Sequence, residues 1–298
     1  HPDEVRILAN LVKKAVELSL EQHVISEQVK LVTDLKQQIL RKLIYDQEIE
    51  NNNEELLCLA RLVNVDLAIN RYAIVLEIKD YSVKDSIEFL KNANKLEDFL
   101  QAHHYLDQDD FYGVLNQSLI IFKKLPTNET TAQSSLLSSM SQSIAKKYGF
   151  EVRIARGSFH PGLPGYRKSY LEARALLKIN ASDRISDINV MEVKVDYLLN
   201  QINGEDLAHF VEPLYRRILD KKGQVQPWII ETTKALFEHH FNLAEAAKAL
   251  FIHKNTMTYR VKRLQTLTGL EIGKNFYHMI MLKLLEIYVE RLQKATRT

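Results

Sequence analysis

Cysteine is nearly absent: Cys58 stands alone among 298 residues. That excludes an intrachain disulfide and a cysteine-built zinc site. Cys58 lies in the apolar run "LLCLARLV", which predicts a small buried hydrophobe in a reducing cytoplasm. No apolar run approaches the length of a membrane span, and no signal peptide is visible. Net charge is scarce too. The 40 Lys and Arg exceed the 38 Asp and Glu by only two, so affinity for a polyanion has to come from locally concentrated charge. Glycine motifs that cradle phosphate are missing. The densest Gly/Pro stretch, "GSFHPGLPGY" at 157–166, lacks Gly-x-x-x-x-Gly-Lys and predicts a connecting loop. The hydroxyl-rich "SSLLSSMSQS" has no Gly-x-Ser-x-Gly elbow around it and reads as a polar helix face. His103-His104 and His239-His240 are adjacent, whereas helical metal pairs need i, i+3 or i+4 spacing. No catalytic residue, cofactor or metal is therefore expected.

What is present divides the chain in three. Residues 3–46 contain no Gly or Pro, and Leu11, Leu18, Ile25, Val32 and Ile39 recur every seven residues. Four residues after each come Ala15, Gln22, Val29, Lys36 and Leu43. The pattern fits a long helix that pairs with a second copy through a heptad seam, or one amphipathic helix packed on its own domain. The chain opens at His1, without a methionine and already in helical spacing, which leads us to expect further sequence upstream. The polar "QEIENNNEE" ends the pattern and places a boundary near residue 50.

Between 51 and 180 the patterns alternate. A helix, "EELLCLARLV", precedes a strand, "RYAIVLEI". Residues 83–102 have helical spacing at Val83, Ile87, Leu90, Leu96, Phe99 and Leu100. "DFYGVL" and "SLIIFKKL" read as a hairpin turning at Asn116-Gln117. A helix over 131–148, a strand "FEVRIAR" and a helix "YRKSYLEARALLKI" follow. The order β-α-β-β-α-β-α favours a ferredoxin-like α/β sandwich with helices on one face of the sheet. Residues 181–298 show helical spacing throughout and no convincing strand pair, so the fold class is α+β with an all-α C-terminal domain. Trp228 is expected in its core.

One stretch of that domain concentrates charge. Residues 241–268 carry Lys248, Lys254, Arg260, Lys262 and Arg263 against Glu245 alone. Asn242 is a good N-cap for a short helix holding Ala244, Ala246, Ala247 and Ala249, small enough for close helix packing. A tight connection at Phe251-Ile252-His253 leads to a second helix from Lys254, capped by His253 or Asn255. Met257, Val261 and Leu264 form its narrow core stripe. The other positions carry Lys254, Asn255, Thr256, Thr258, Tyr259, Lys262 and Arg263, and Arg260 borders both faces. This is the helix-turn-helix plan, over about 242–268. A basic surface helix of an ordinary bundle has similar charge, and some helix-turn-helix proteins bind no DNA.

The run His253-Lys254-Asn255-Thr256-Met257-Thr258-Tyr259-Arg260, with Thr268-Gly269-Leu270 after it, resembles the C-terminal helix-turn-helix of PucR-type bacterial regulators, including the sugar diacid (CdaR-like) regulators. Residues 70–180 resemble the degenerate GGDEF-type domain that precedes it there. The first helix is similar to the segment closing the diacid-sensing domain, so the resemblance implies that an effector binds mainly outside this chain. It further implies a cytoplasmic transcription activator of sugar diacid genes, expected as a homodimer through the N-terminal helix, the GGDEF-like domain or both. A purine-catabolism regulator of the same family is the alternative. Lys254, Asn255, Thr256, Thr258 and Tyr259 are expected near base edges, and Arg260, Lys262 and Arg263 near phosphates. A GGDEF-related nucleotide-binding protein or cyclase is the reading from another class. The hairpin "VLNQSLIIF" lacks the glycines and acids it needs, and adjacent Asp109 and Asp110 are poorly placed to share a metal.

Overall fold

The computed structural model describes residues 2–78, 86–126, 132–149, 151–179 and 184–295. Val83, and the side chains of Leu11, Ile87 and Leu90, lie outside the described residues. The chain forms two compact units, His1–Tyr197 and Leu198–Thr298.

The first unit runs α1 (Pro2–Tyr45), α2 (Glu54–Leu62), β1 (Arg71–Ile78), α3 (Ser86–Ala102), β2 (Phe111–Leu115), β3 (Ser118–Lys124), α4 (Ala132–Tyr148), β4 (Val152–Arg156), α5 (Leu163–Ile179) and β5 (Ile185–Asp187). The sheet order is β2-β3-β1-β4-β5, with all pairs antiparallel except β4–β5. The first four strands thus keep the ferredoxin-like arrangement. β5 adds a fifth strand beyond residue 180, where none was expected, because three residues are too few to show an alternating pattern. Asn116 and Gln117 have φ of 50° and 57°, as a two-residue type I′ hairpin requires.

Helices cover both faces of the sheet, not one. Ala73, Val75, Ile120, Phe122 and Ala155 face α1, α2 and α5. Tyr72, Ile74, Leu76, Ile121 and Ile154 face α3 and α4. A strand covered on both sides has no need to alternate, and "YAIVL" at the centre of β1 is apolar without a break. Each buried Val, Leu, Ile or Phe among them contributes about 1.5–3 kcal/mol relative to exposure.

The end of α1 belongs to this unit, since Ile39, Leu40, Leu43 and Ile44 are buried in its core. Lys36, expected on a helix–helix seam, lies 5.5 Å from the ring centre of Tyr112 on β2. The earlier seam hydrophobes Leu18, Ile25, Val29 and Val32 are exposed, at 39–61%. α5 starts at Leu163, inside the stretch expected to be loop. Pro164 suits a first helical turn. A Cβ on Gly165 would come within 2.1 Å of the His160 carbonyl oxygen, so only glycine fits there. Cys58 is exposed rather than buried, because α2 turns Leu56 and Ala60 to the core.

After α6 (Met191–Asn200), the second unit holds α7 (Gly204–Ile218), α8 (Pro227–Glu238), α9 (Leu243–Ala249), α10 (Lys254–Thr268) and α11 (Phe276–Ala295). It is helical apart from one antiparallel bridge, Leu219–Val225. Among the described residues no helix is long and apolar enough to cross a membrane.

Candidate nucleic-acid interface

α9 and α10 form the expected pair. The Asn242 side chain accepts from the Ala244 and Glu245 amides, at 3.0 and 3.4 Å, and starts α9. Of its four alanines only Ala246 and Ala247 are buried; Ala244 and Ala249 face solvent. His253 caps α10, its Nδ1 accepting from the Asn255 amide at 3.2 Å. Nδ1 is thereby used as an acceptor, so the ring proton sits on Nε2. The first-turn amides of Lys254 and Thr256 have no acceptor within the helix, which leaves a partial positive charge at this end.

Met257, Val261, Leu264 and Thr268 fix the buried side of α10. Thr268-Gly269-Leu270 ends the helix. Gly269 takes φ 76° and donates to the Gln265 carbonyl, while the Thr268 hydroxyl donates to the Leu264 carbonyl at 2.7 Å. Arg217 of α7 donates to the Thr268 carbonyl at 3.2 Å. This part of the motif terminates the helix.

Opposite the core stripe, 100° per residue puts Asn255, Tyr259, Lys262 and Thr266 along one line, and all four are exposed. Lys254 and Thr256 flank its start and are exposed as well. Thr266 was not among the expected site residues, although the same spacing places it there. Three expected residues are already engaged. The Thr258 hydroxyl donates to the Lys254 carbonyl at 3.0 Å, leaving its methyl and lone pairs. Arg260 Nη1 lies 3.6 Å from Glu231 Oε2 of α8, with 21% of its side chain exposed. Arg263 sits 5.3 Å from the ring centre of Trp228. Trp228 is therefore half-buried beneath a cation, not sealed in the core.

Phe251 has the least expected geometry. It is 96% exposed and held at φ 54°, at the end of α9 where glycine is usual. Phe251→Gly is expected to raise the unfolding free energy of this unit by about 1 kcal/mol, through relief of left-handed strain. Chemical denaturation followed by circular dichroism checks it, and a loss of stability would contradict it.

The hairpin of the first unit does other work. Its tip is tied to α1 by the Asn116 side-chain amide, which donates to the Tyr45 hydroxyl at 2.5 Å. Gln37 donates to the Val114 carbonyl at 2.9 Å. Asp109 and Asp110 are committed separately, to Lys124 and to Lys123. Among the described residues no cluster of three or more His, Cys, Asp or Glu could hold a metal.

Residues 229–285 match the PucR C-terminal helix-turn-helix domain, and residues 49–179 match the GGDEF-like domain. The chain is 24% identical to the carbohydrate diacid regulator of Escherichia coli K12 over 97% of this chain and 75% of the relative. The purine catabolism regulatory protein of Bacillus subtilis is 31% identical over 25% of this chain and 14% of the relative. Among solved structures, a regulator of polyketide synthase expression from Bifidobacterium adolescentis aligns with 88% of this chain and 94% of its own. Its identity is 14% and its TM-score 0.37.

Proposed function

We propose, for a chain that belongs to the PucR/CdaR type of transcription regulators, that residues 254–263 enter the major groove of double-stranded DNA and read its sequence. The chain is a regulator and not an enzyme. The carrying observation is the exposed line Asn255–Tyr259–Lys262, backed by a fully buried stripe and headed by free helix amides. Asn can pair bidentately with adenine, Thr methyls meet thymine methyls, and Lys and Arg meet phosphates. Lys254, Asn255, Thr256, Thr258 and Tyr259 take the base-edge roles. Lys262 and Arg263 take phosphates. Arg260 reaches one only by releasing Glu231, itself half-exposed.

Lys262→Ala is expected to lower the slope of log K against log salt by about one unit, and to weaken cognate and random DNA alike. Fluorescence anisotropy between low and moderate salt reads this, and an unchanged slope removes Lys262 from the phosphate contacts.

The likeness to the carbohydrate diacid regulator covers nearly the whole chain, while that to the purine catabolism regulator is local. This favours control of sugar diacid genes over purine genes; in this reading the chain is a cytoplasmic activator, with the effector held mainly by a region outside it. The exposed seam at Leu18, Ile25, Val29 and Val32 supports pairing with a second copy, placing two recognition helices on a repeated or palindromic operator. Sedimentation as a monomer at micromolar concentration would contradict the pairing. The GGDEF-like domain then serves as a spacer, a dimer surface or a relay; steady turnover of GTP with Mg²⁺ would revive the cyclase reading.

A further inference from the structure

At the start of β1, on the sheet end away from the hairpin, a cleft of about 760 Å³ opens between α2 and the first turn of α5. That volume is in the range of small-molecule sites. Arg71 lines it and is 3% exposed. Its Nε donates to the Asp109 carbonyl at 2.7 Å. Its Nη1 donates to the Asp66 carbonyl at 2.7 Å and the Tyr166 hydroxyl at 2.8 Å. All three acceptors are neutral. The side chains of the two acidic residues whose carbonyls it uses are committed elsewhere, Asp109 to Lys124 at 2.6 Å and Asp66 to the Ala68 amide at 2.9 Å. Among the described residues nothing accepts from Nη2, and no carboxylate forms an ion pair with the guanidinium; the Asp109 carboxyl feels it only weakly, as the smaller of two cations that hold its pKa down. A buried cation without a counter-charge is costly, and such groups are ordinarily paired.

The rest of the cleft fits an organic anion. Leu57, Phe159 and Leu163 give it apolar wall, and Arg61 stands exposed at its rim. Asn51 accepts from the Leu163 amide at 2.9 Å, so its own NH₂ remains to donate. His160 is held by Glu172 at 2.8 Å and is no anchor. The first-turn amide of α5 is already used by Asn51, and Pro164 has none, so the amide cradle typical of phosphate sites is lacking.

We propose that this cleft is a binding site for a small organic carboxylate, with Arg71 as its charge partner and Asn51 and Arg61 as secondary donors. A carboxylate on the free edge of Arg71 completes the counter-charge that the fold omits. Because the cleft joins α2 to the start of α5, occupancy clamps those two helices together.

The test is thermal unfolding of the whole chain with tartrate, citrate or succinate at about 20 mM against sodium chloride of equal ionic strength, with inorganic phosphate alongside. Its readout is independent of DNA, so it fails or succeeds separately from the regulatory reading. At least one carboxylate is expected to raise Tm by a few degrees beyond the salt control, and Arg71→Met is expected to abolish the rise. Arg61→Gln, on the exposed rim, keeps the fold intact should Arg71→Met unfold. It is expected to weaken apparent carboxylate affinity by about threefold. No response to any of the three, an equal response in the variants, or a larger response to phosphate would overturn the assignment.

Discussion

Asn255→Ala is expected to weaken binding to the cognate operator roughly tenfold or more, while binding to random DNA changes by less than about twofold. The asymmetry follows from where Asn255 sits. It is the second residue of α10, exposed on the line opposite Met257, Val261 and Leu264. Its side chain makes no hydrogen bond within the described residues, while its backbone amide donates to His253 Nδ1. Truncation therefore leaves the cap and core untouched and removes one directed donor–acceptor pair. An uncharged amide adds little to phosphate attraction, so nonspecific affinity has no reason to fall. Competition gel shifts with cognate and scrambled duplexes read both quantities; equal losses on the two would remove Asn255 from base reading.

The second large effect concerns stability. Glu286 of α11 is 5% exposed, and its Oε2 has no hydrogen-bond partner among the described residues. Lys283 reaches Oε1 only at 3.4 Å. Burial pushes its carboxyl up from 4.5 to about 7, with Glu290 adding to the rise and Lys283 and Lys234 opposing it. The folded unit therefore holds this proton more tightly than the unfolded chain. The stabilisation is complete below about pH 4.5 and is lost as pH rises through about 7, where a buried charge has to be tolerated. Glu286→Gln mimics the protonated form. It is expected to stabilise the C-terminal unit at pH 8 by up to about 3 kcal/mol relative to wild type, with the advantage gone near pH 4.5. Urea unfolding at both pH values checks this; a pH-independent difference would contradict the buried carboxyl's role.

Local patterns carried the helix-turn-helix and the hairpin well. The spacing of Met257, Val261 and Leu264 located the core side of α10, Asn242 marked the start of α9, and Asn116-Gln117 located the hairpin. In each case the signal lies within a few residues of what it specifies. The features missed depend on distant partners. Nothing near Arg260 announces Glu231, 29 residues earlier in the sequence, and nothing near Arg263 announces Trp228. Ile39 and Leu43 continue a heptad in the sequence but serve the core of the α/β unit in the fold, because a seven-residue spacing records an apolar side and not its partner. The unbroken "YAIVL" did hold a signal of helices on both faces, which the element order alone obscured. Cys58 shows the converse. An apolar neighbourhood in sequence still places every third or fourth residue of a helix in solvent.

The most direct measurement is selection from a pool of random duplexes by the purified chain at physiological salt, followed by sequencing of the bound fraction. The account predicts an enriched motif containing an adenine whose preference disappears in Asn255→Ala, repeated in two half-sites about 34 Å apart or at a multiple of that spacing. Retention of DNA with no enriched sequence, or an enriched motif unchanged by Asn255→Ala, would contradict it.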